Sequence, residues 1–376
     1  VGCTIAYQII NLIVTLEPDR SAGTKSTIVV KKKEKAMFSG ELKKSTFAIV
    51  CILLVVGIVL IGVWYIQKPD QAFTGQVESV TIGQSSPQSS SLILIAEDQN
   101  YFADNGLNVT IKNYDAGLYA VNALIAGEVD IATATELVLA EKTLSGEKLQ
   151  AVACIDKIDN EYIIARKDHG IQKVSDLAGK KIGVSRGTSA EFFLGRFLQL
   201  NGIDEQDITK VDLKPDQLYD AIVNGDVDAV ITWEPRVFLI ENELGDNGLV
   251  MPAQSGQRYY WLLITSDDFI EDHREAIERL IRAIDEAGQF VIYHPEEAKA
   301  IIKNTLGYDE EFNERMWSQN QFALLFDQSL IIAMEDETRW LMSNNLTDAT
   351  EMPNYLDVLH YEIIQEVKPG AVNIMR

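Results

Sequence analysis

Ala123-Leu124-Ile125-Ala126-Gly127-Glu128-Val129-Asp130 returns 98 residues later as Ala221-Ile222-Val223-Asn224-Gly225-Asp226-Val227-Asp228. Each copy reads as a helix end, a Gly stop, an acidic turn and the start of a strand. Ile131-Ala132-Thr133 follows the first copy, and Ala229-Val230-Ile231-Thr232 follows the second. Gly suits the place after the last helical residue because it takes positive φ without a Cβ clash. A chain that builds one helix-turn-strand unit twice, about a lobe apart, is expected to form two similar α/β lobes. A cleft between two lobes is where small ligands usually bind.

Around the two copies, strand and helix patterns alternate. The first lobe reads as strand 80–83, a helix to about residue 100 capped from among Ser89, Ser90 and Ser91, and strand 107–111. Helix 117–126, strand 131–133, helix 135–144 and strand 149–154 follow. Residues 162–166 read as a strand leaving that lobe. The second lobe reads as strand 181–184, helix 189–200, strand 208–212, helix 217–224 and strand 229–232. A helix over 235–244 then has Pro235 at its first position. Residues 259–265 read as an apolar strand returning to the first lobe. Two crossing segments predict a hinge. Beyond residue 272 the pattern is helical, broken at His294-Pro295, Gly307 and Pro353. The alternation predicts largely parallel sheets with helices on both faces.

The 376 residues carry a formal charge of −23, unevenly placed. Residues 1–69 balance to +5 and the remainder to −28. So acidic a body excludes a nucleic-acid footprint, which needs clustered basic residues. Cys3 and Cys51 lie upstream, which leaves Cys154 alone in the body and rules out an internal disulfide or thiolate cluster there. His169, His273, His294 and His360 are dispersed with no i,i+4 pair, so no metal site is expected. There is no nucleophile elbow and no His beside the stretches described below, so no catalytic residue and no cofactor is expected.

Residues 47–66 contain no charged side chain, and twenty residues in a helix span about 30 Å, the thickness of a bilayer's hydrocarbon core. Trp64 and Tyr65 fall where an interfacial aromatic belt lies. Lys31, Lys32, Lys33, Lys35, Lys43 and Lys44 precede the run and Lys68 follows it, which places the N-terminus in the cytoplasm and the acidic body on the extracytoplasmic side. A cleaved signal peptide is the rival reading, but the run is longer than the usual apolar region and no small-x-small site follows closely. The expected organisation is a cytoplasmic tail over 1–46, a transmembrane anchor over 47–66 and a tether over 67–77. Met37 opens the basic segment, and residues 1–36 read either as upstream translation or as part of that tail. The first part of lobe 1 is expected over 78–165, lobe 2 over 166–257, and a return strand with C-terminal helices packing mainly on lobe 1 over 258–376.

Two stretches offer binding chemistry. Val184-Ser185-Arg186-Gly187-Thr188-Ser189 runs from a strand into a helix. A helix start presents free N–H groups and the positive end of its dipole. Gly187 admits close approach, and Thr188 and Ser189 add hydroxyl donors, which together make an oxyanion cradle or an ordinary N-cap. The Gly spacing and Lys of a phosphate-binding P-loop are missing. Thr232-Trp233-Glu234-Pro235 follows the second copy, at a strand end, where α/β sheets line ligand crevices. Trp233 can stack on a ligand and Glu234 can accept hydrogen bonds; the alternative is a buried structural Trp beside an exposed Glu. Thr133 and Thr135 hold the equivalent place after the first copy.

Four stretches, in this order, resemble the substrate-binding proteins of nitrate/sulfonate/taurine-type ABC transporters, a family that includes thiamine-pyrimidine-precursor binders. They are Ala96 to Val109, with its aromatic pair and Gly-Leu-x-Val; Ala123 to Ala132; Asp176-Leu177-Ala178-Gly179-Lys180-Lys181-Ile182-Gly183-Val184; and Trp233-Glu234-Pro235. The match covers about residues 78–300. The resemblance implies an α/β, periplasmic-binding-protein-like (type II) two-lobed clamshell with a hinge; the one transmembrane helix read above precedes it and departs from the lipoprotein members of the family. It implies a protein that closes on a small ligand and presents it to an ABC permease and its ATPase.

By position, the family's ligand-contacting loops fall at Ser85, Ser86 and Gln88, at Gly117, at Thr133 and Thr135, at Arg186, Gly187, Thr188 and Ser189, and at Trp233 and Glu234. An oxyanion such as a sulfonate or nitrate suits Arg186 and the helix N–H groups, and is the expected ligand. A heteroaromatic would instead suit Trp233 and Tyr260. An enzyme like the eukaryotic pyrimidine synthase of this fold is disfavoured, since its Cys-rich motif and reactive His are missing near the cleft. A sensory ectodomain is permitted by the anchor, but the cytoplasmic part is short and lacks a recognisable kinase.

Overall fold

The structure, a computed structural model, describes residues 73–375. The expected tail and anchor and most of the tether therefore lie outside the described residues. Among the described residues no helix is long and apolar enough to cross a membrane.

The sequence repeat is a structural repeat. Asp130 accepts a hydrogen bond from the Thr81 backbone N–H at 2.7 Å, and its own N–H donates to the Thr81 carbonyl at 2.9 Å. Asp228 does the same with Lys181, at 2.8 and 2.9 Å. Each Asp thus stitches the start of its own strand to the parallel strand beside it. Gly127 and Gly225 take φ of +72° and +78°, the left-handed turn that lets each helix stop and the chain reverse.

The first copy lies in a seven-stranded sheet. Its elements are β1 (Glu78–Ser85), α1 (Ser91–Asp98), α2 (Tyr101–Asp104), β2 (Leu107–Tyr114), α3 (Gly117–Ile125), β3 (Ile131–Thr135), α4 (Glu136–Leu144) and β4 (Leu149–Ile158). The second copy lies in a five-stranded sheet. It is formed by β5 (Glu161–Arg166), β6 (Lys181–Val184), α5 (Ser189–Leu200), β7 (Thr209–Asp212), α6 (Leu218–Val223), β8 (Ala229–Trp233), α7 (Arg236–Leu244) and β9 (Gly248–Pro252). The chain then returns to the first sheet through β10 (Tyr259–Ser266). It continues with α8 (Asp267–Tyr293), α9 (Pro295–Leu306), α10 (Glu310–Gln319), β11 (Asn320–Asp327), α11 (Gln328–Ser343), α12 (Tyr361–Val367) and β12 (Val372–Asn373).

The sheet orders are β12-β11-β4-β10-β3-β1-β2 and β7-β6-β8-β5-β9. Both sheets are mixed, which corrects the expectation of largely parallel ones. β2, β1 and β3 run parallel, as do β7, β6 and β8, while β10, β4, β5 and β9 each pair antiparallel. Apart from β11, which pairs antiparallel with β4, the antiparallel strands are those flanking the two crossings, where the chain leaves one sheet and enters the other without a helix between. The first crossing lies between Ile158 and Glu161, so the strand read as departing already belongs to the second sheet. Beyond residue 272 the chain is helical except for β11 and β12, which extend the edge of the first sheet. Pro235 is the residue before α7 rather than its first residue.

Gln254 ties the two crossings together. Fully buried, it accepts from the Glu161 N–H at 2.9 Å and donates to the Ile158 carbonyl at 2.9 Å. Its donor amide also reaches the Gln257 carbonyl at 2.9 Å. The smaller lobe keeps its own apolar cluster of Leu218, Ile222, Val227, Val230, Val237 and Ile240 around Ile164.

Candidate ligand cleft

A narrow cleft separates the two sheets at the ends of their parallel strands. Ser85 and Ser86 come from the end of β1, Ala116, Gly117 and Leu118 from the start of α3, Thr135 and Val138 from the β3–α4 junction, and Asp115 from the loop before α3. The second lobe contributes Thr188, Ser189 and Trp233, and the return strand contributes Tyr259 and Trp261. Of the residues the sequence singled out, Ser85, Ser86, Gly117, Thr135, Thr188, Ser189 and Trp233 are thus brought together.

Three helices begin at this cleft. Their N-cap residues are Ala116 (α3), Thr135 (α4) and Thr188 (α5), and none makes a side-chain capping bond. The first-turn N–H groups of a helix have no intrahelical acceptor, and the dipole adds positive potential there. Thr188 instead donates its hydroxyl to the Ser185 carbonyl at 2.7 Å, and Ser189 donates to the Glu161 carboxyl. The Thr135 hydroxyl is buried and has no partner. Gly117 owes its identity to packing: a Cβ there would lie 2.7 Å from the Ala134 Cβ, so only Gly lets α3 start so close to β3.

The floor is aromatic and held in place. Tyr259 donates its hydroxyl to Asn160 at 2.7 Å, and the Trp261 indole donates to the Ser90 hydroxyl at 2.9 Å. Trp233 carries the Arg236 guanidinium 5.4 Å from its ring centre. Two carboxyls lie close behind the lining. Burial pushes Glu161 up to about 8, the Ser189 bond opposing it, and burial pushes Glu136 up to about 8 against the bond from the Tyr260 N–H. Neutral at pH 7, neither presents a negative charge to the cleft. Asp115 is the one acidic lining residue, and there is no lysine or arginine among the lining.

The other expected site residues lie elsewhere, each for a physical reason. Gln88 is fully buried and spans the lobes, donating to the Glu234 carbonyl at 2.6 Å and to the Ser86 hydroxyl at 2.9 Å. Thr133 is consumed inside the first sheet, its hydroxyl accepting from the Ser85 N–H at 3.0 Å. Arg186 is exposed and outside the lining. Gly187 lies beside Leu118 at the rim, its N–H donating to Glu191 at 3.0 Å. Glu234 is fully buried, paired with Arg315 at 2.7 Å, and accepts from the Phe238 N–H at 2.9 Å. Tyr260 points to the opposite face of β10, where its hydroxyl donates to Ser329 at 2.7 Å. The residues missed were Asp115, Ala116, Leu118, Val138, Tyr259 and Trp261. Strand alternation was the available signal for the last two, since residues 259 and 261 share the face that 260 does not.

The chain is similar to known proteins of this architecture. It is 28% identical to the taurine-binding periplasmic protein of Escherichia coli K12 over 233 residues, 60% of this chain and 70% of that protein. Among solved structures it superposes on the alkanesulfonate-binding protein SsuA of Xanthomonas axonopodis pv. citri, bound to MOPS, with a TM-score of 0.65 and 18% identity, covering 76% of this chain and 99% of that one. The desulfurization enzyme DSZB shares the fold more distantly, with a TM-score of 0.55 and 15% identity over 78% of this chain and 99% of that one. The relatives in sequence that are named for sulfonates and taurine are binding proteins, not enzymes. Residues 88–298, more than half of the chain, match the NMT1/THI5-like family, and the chain belongs to it.

Proposed function

We propose that this protein is an extracytoplasmic solute-binding protein of an ABC importer, and that it closes its two lobes on a small organic oxyanion of the sulfonate class. The observation that carries this reading is the meeting of three uncapped helix starts and the unpartnered Thr135 hydroxyl in one interlobe cleft. Such groups stabilise oxygen-borne negative charge without a buried counter-cation. The aromatic floor of Trp233, Tyr259 and Trp261 suits the organic body of such a ligand better than a bare nitrate ion. The cleft residues Ser85, Ser86, Gly117, Thr135, Thr188, Ser189 and Trp233 would touch the ligand. The apolar run over 47–66 would moor the body to the membrane beside its permease and ATPase.

Calorimetric titration with taurine, butanesulfonate, MOPS, nitrate and an aminopyrimidine tests the ligand class. Saturable binding of one or more sulfonates, with nitrate weaker, is the expected result; no binding of any sulfonate overturns it. The aminopyrimidine is the second reading, favoured by the same aromatic floor and by Asp115. Carbonate extraction of membranes from cells making the full chain tests the mooring. Release of the protein into the wash would contradict it.

A further inference from the structure

Side chains alternate across a strand, so Tyr260 faces away from the cleft that Tyr259 and Trp261 line. It opens instead on a second, solvent-exposed groove, whose walls carry Lys157, Arg196, Arg258 and Arg339 together with Asp336. Arg196 comes from α5 in the second lobe, Arg258 from the second crossing, and Lys157 and Arg339 from β4 and α11 in the first lobe. Four cations in one groove are an exception on a body whose charge is −28. Three of them have acidic partners: Lys157 pairs with Asp327, Arg196 with Asp336 at 3.3 Å, and Arg339 with Glu335 at 2.8 Å. Arg258 makes no direct ion pair among the described residues; it reaches the Gln321 side-chain oxygen at 3.5 Å, and its charge opposes the burial-driven rise of the Asp156 carboxyl. The Nε of Arg196 is buried and donates to nothing. Guanidinium groups left with free donors match the oxygens of phosphate and carboxylate two at a time.

We propose that this groove is a second binding site, taking a small multivalent oxyanion, a phosphate or a polycarboxylate, between Arg258, Arg196 and Arg339. Its walls come from both lobes and the crossing, so an anion held there bears on how the lobes sit relative to one another. By linkage, whatever factor the groove anion puts on the affinity of the cleft, the cleft ligand puts on the affinity of the groove. The inference is independent of which solute the cleft holds.

The test titrates the full chain in detergent micelles with inorganic phosphate and, separately, with citrate, at pH 7.5 and constant ionic strength against a sodium chloride control. Either anion is expected to bind at one site, equally well in a Thr188→Ala/Trp233→Ala cleft variant. Binding is expected to weaken at least tenfold in Arg258→Ala/Arg339→Ala. Arg258→Gln alone, which leaves every ion pair of the groove in place, gives the same direction if the double variant does not fold. Stronger binding of phosphate or of citrate identifies the source of the oxyanion. Neither anion binding above the chloride control, binding unchanged in both arginine variants, or binding lost in the cleft variant would each overturn the proposal. None of these outcomes bears on sulfonate binding, which is read separately.

Discussion

Gln88 of the first lobe donates through Nε2 to the backbone carbonyl of Glu234 in the second, at 2.6 Å, while Tyr308 donates to its Oε1 at 3.3 Å. The side chain is therefore a brace between lobes and not a part of the cleft wall. Gln88→Ala should lower the affinity of every cleft ligand by a similar factor of about 5–10, the worth of one buried hydrogen bond. Calorimetry across several sulfonates checks this. A loss confined to one ligand would instead place Gln88 against that ligand.

Thr135 carries a buried hydroxyl with no partner, at the start of α4. Thr135→Val removes the hydroxyl at nearly constant shape. An unpartnered buried hydroxyl is destabilising, so the melting temperature should hold or rise while sulfonate affinity falls about tenfold. Thermal melts and titrations on the same preparation separate the two effects. Unchanged affinity would remove Thr135 from the site.

Arg315 on α10 pairs with Glu234 at 2.7 Å and with Glu241 at 2.6 Å, joining the C-terminal helices to the second lobe. Burial raises the Glu234 carboxyl, and the Arg315 charge opposes that rise. Arg315→Ala leaves Glu234 buried without its counter-charge and should cost about 2–4 kcal/mol of unfolding free energy, read by urea titration. Glu234→Gln in the same background should recover part of the loss. A double variant no more stable than Arg315→Ala contradicts this account.

Glu161 titrates near 4.5 when unfolded and near 8 when folded, because burial penalises its charge. Between those values the folded state holds a proton that the unfolded chain has released. Stability is therefore greatest at the acidic end of the window and declines as pH rises through it. Glu136 acts in the same direction. The melting temperature should fall from pH 5 to pH 8, and Glu161→Gln should flatten that slope. Above pH 8, ionised Glu161 lies behind Ser189 and should weaken oxyanion binding. A slope unaltered by the substitution would count against the assignment.

The elements that carry the repeat were legible because local chemistry and the fold agree. Gly127 and Gly225 stop their helices, and β6 and α5 fall on the residues where they were read. β11 was not legible: its sequence NQFALLFD lacks strict alternation and lies between helices, and pairing with β4 and β12 makes it a strand. In the cleft, the hydroxyls at strand–helix junctions were readable as N-caps. The fates of Gln88 and Glu234 were not, because their partners Tyr308 and Arg315 come from a segment distant in sequence. Arg186 drew attention by its charge beside a helix start, yet its long side chain stays in water.

Gln254, seated in the second crossing, bonds to both sides of the first, at Ile158 and Glu161, and to Gln257 of its own. One amide that holds both crossings couples the twist of one to the twist of the other. Fluorophores at Asn122 and Asp220, exposed and matched by the internal duplication, would report the separation of the lobes. In the proposed importer, that separation is what a permease would read to tell a laden body from an empty one by shape alone.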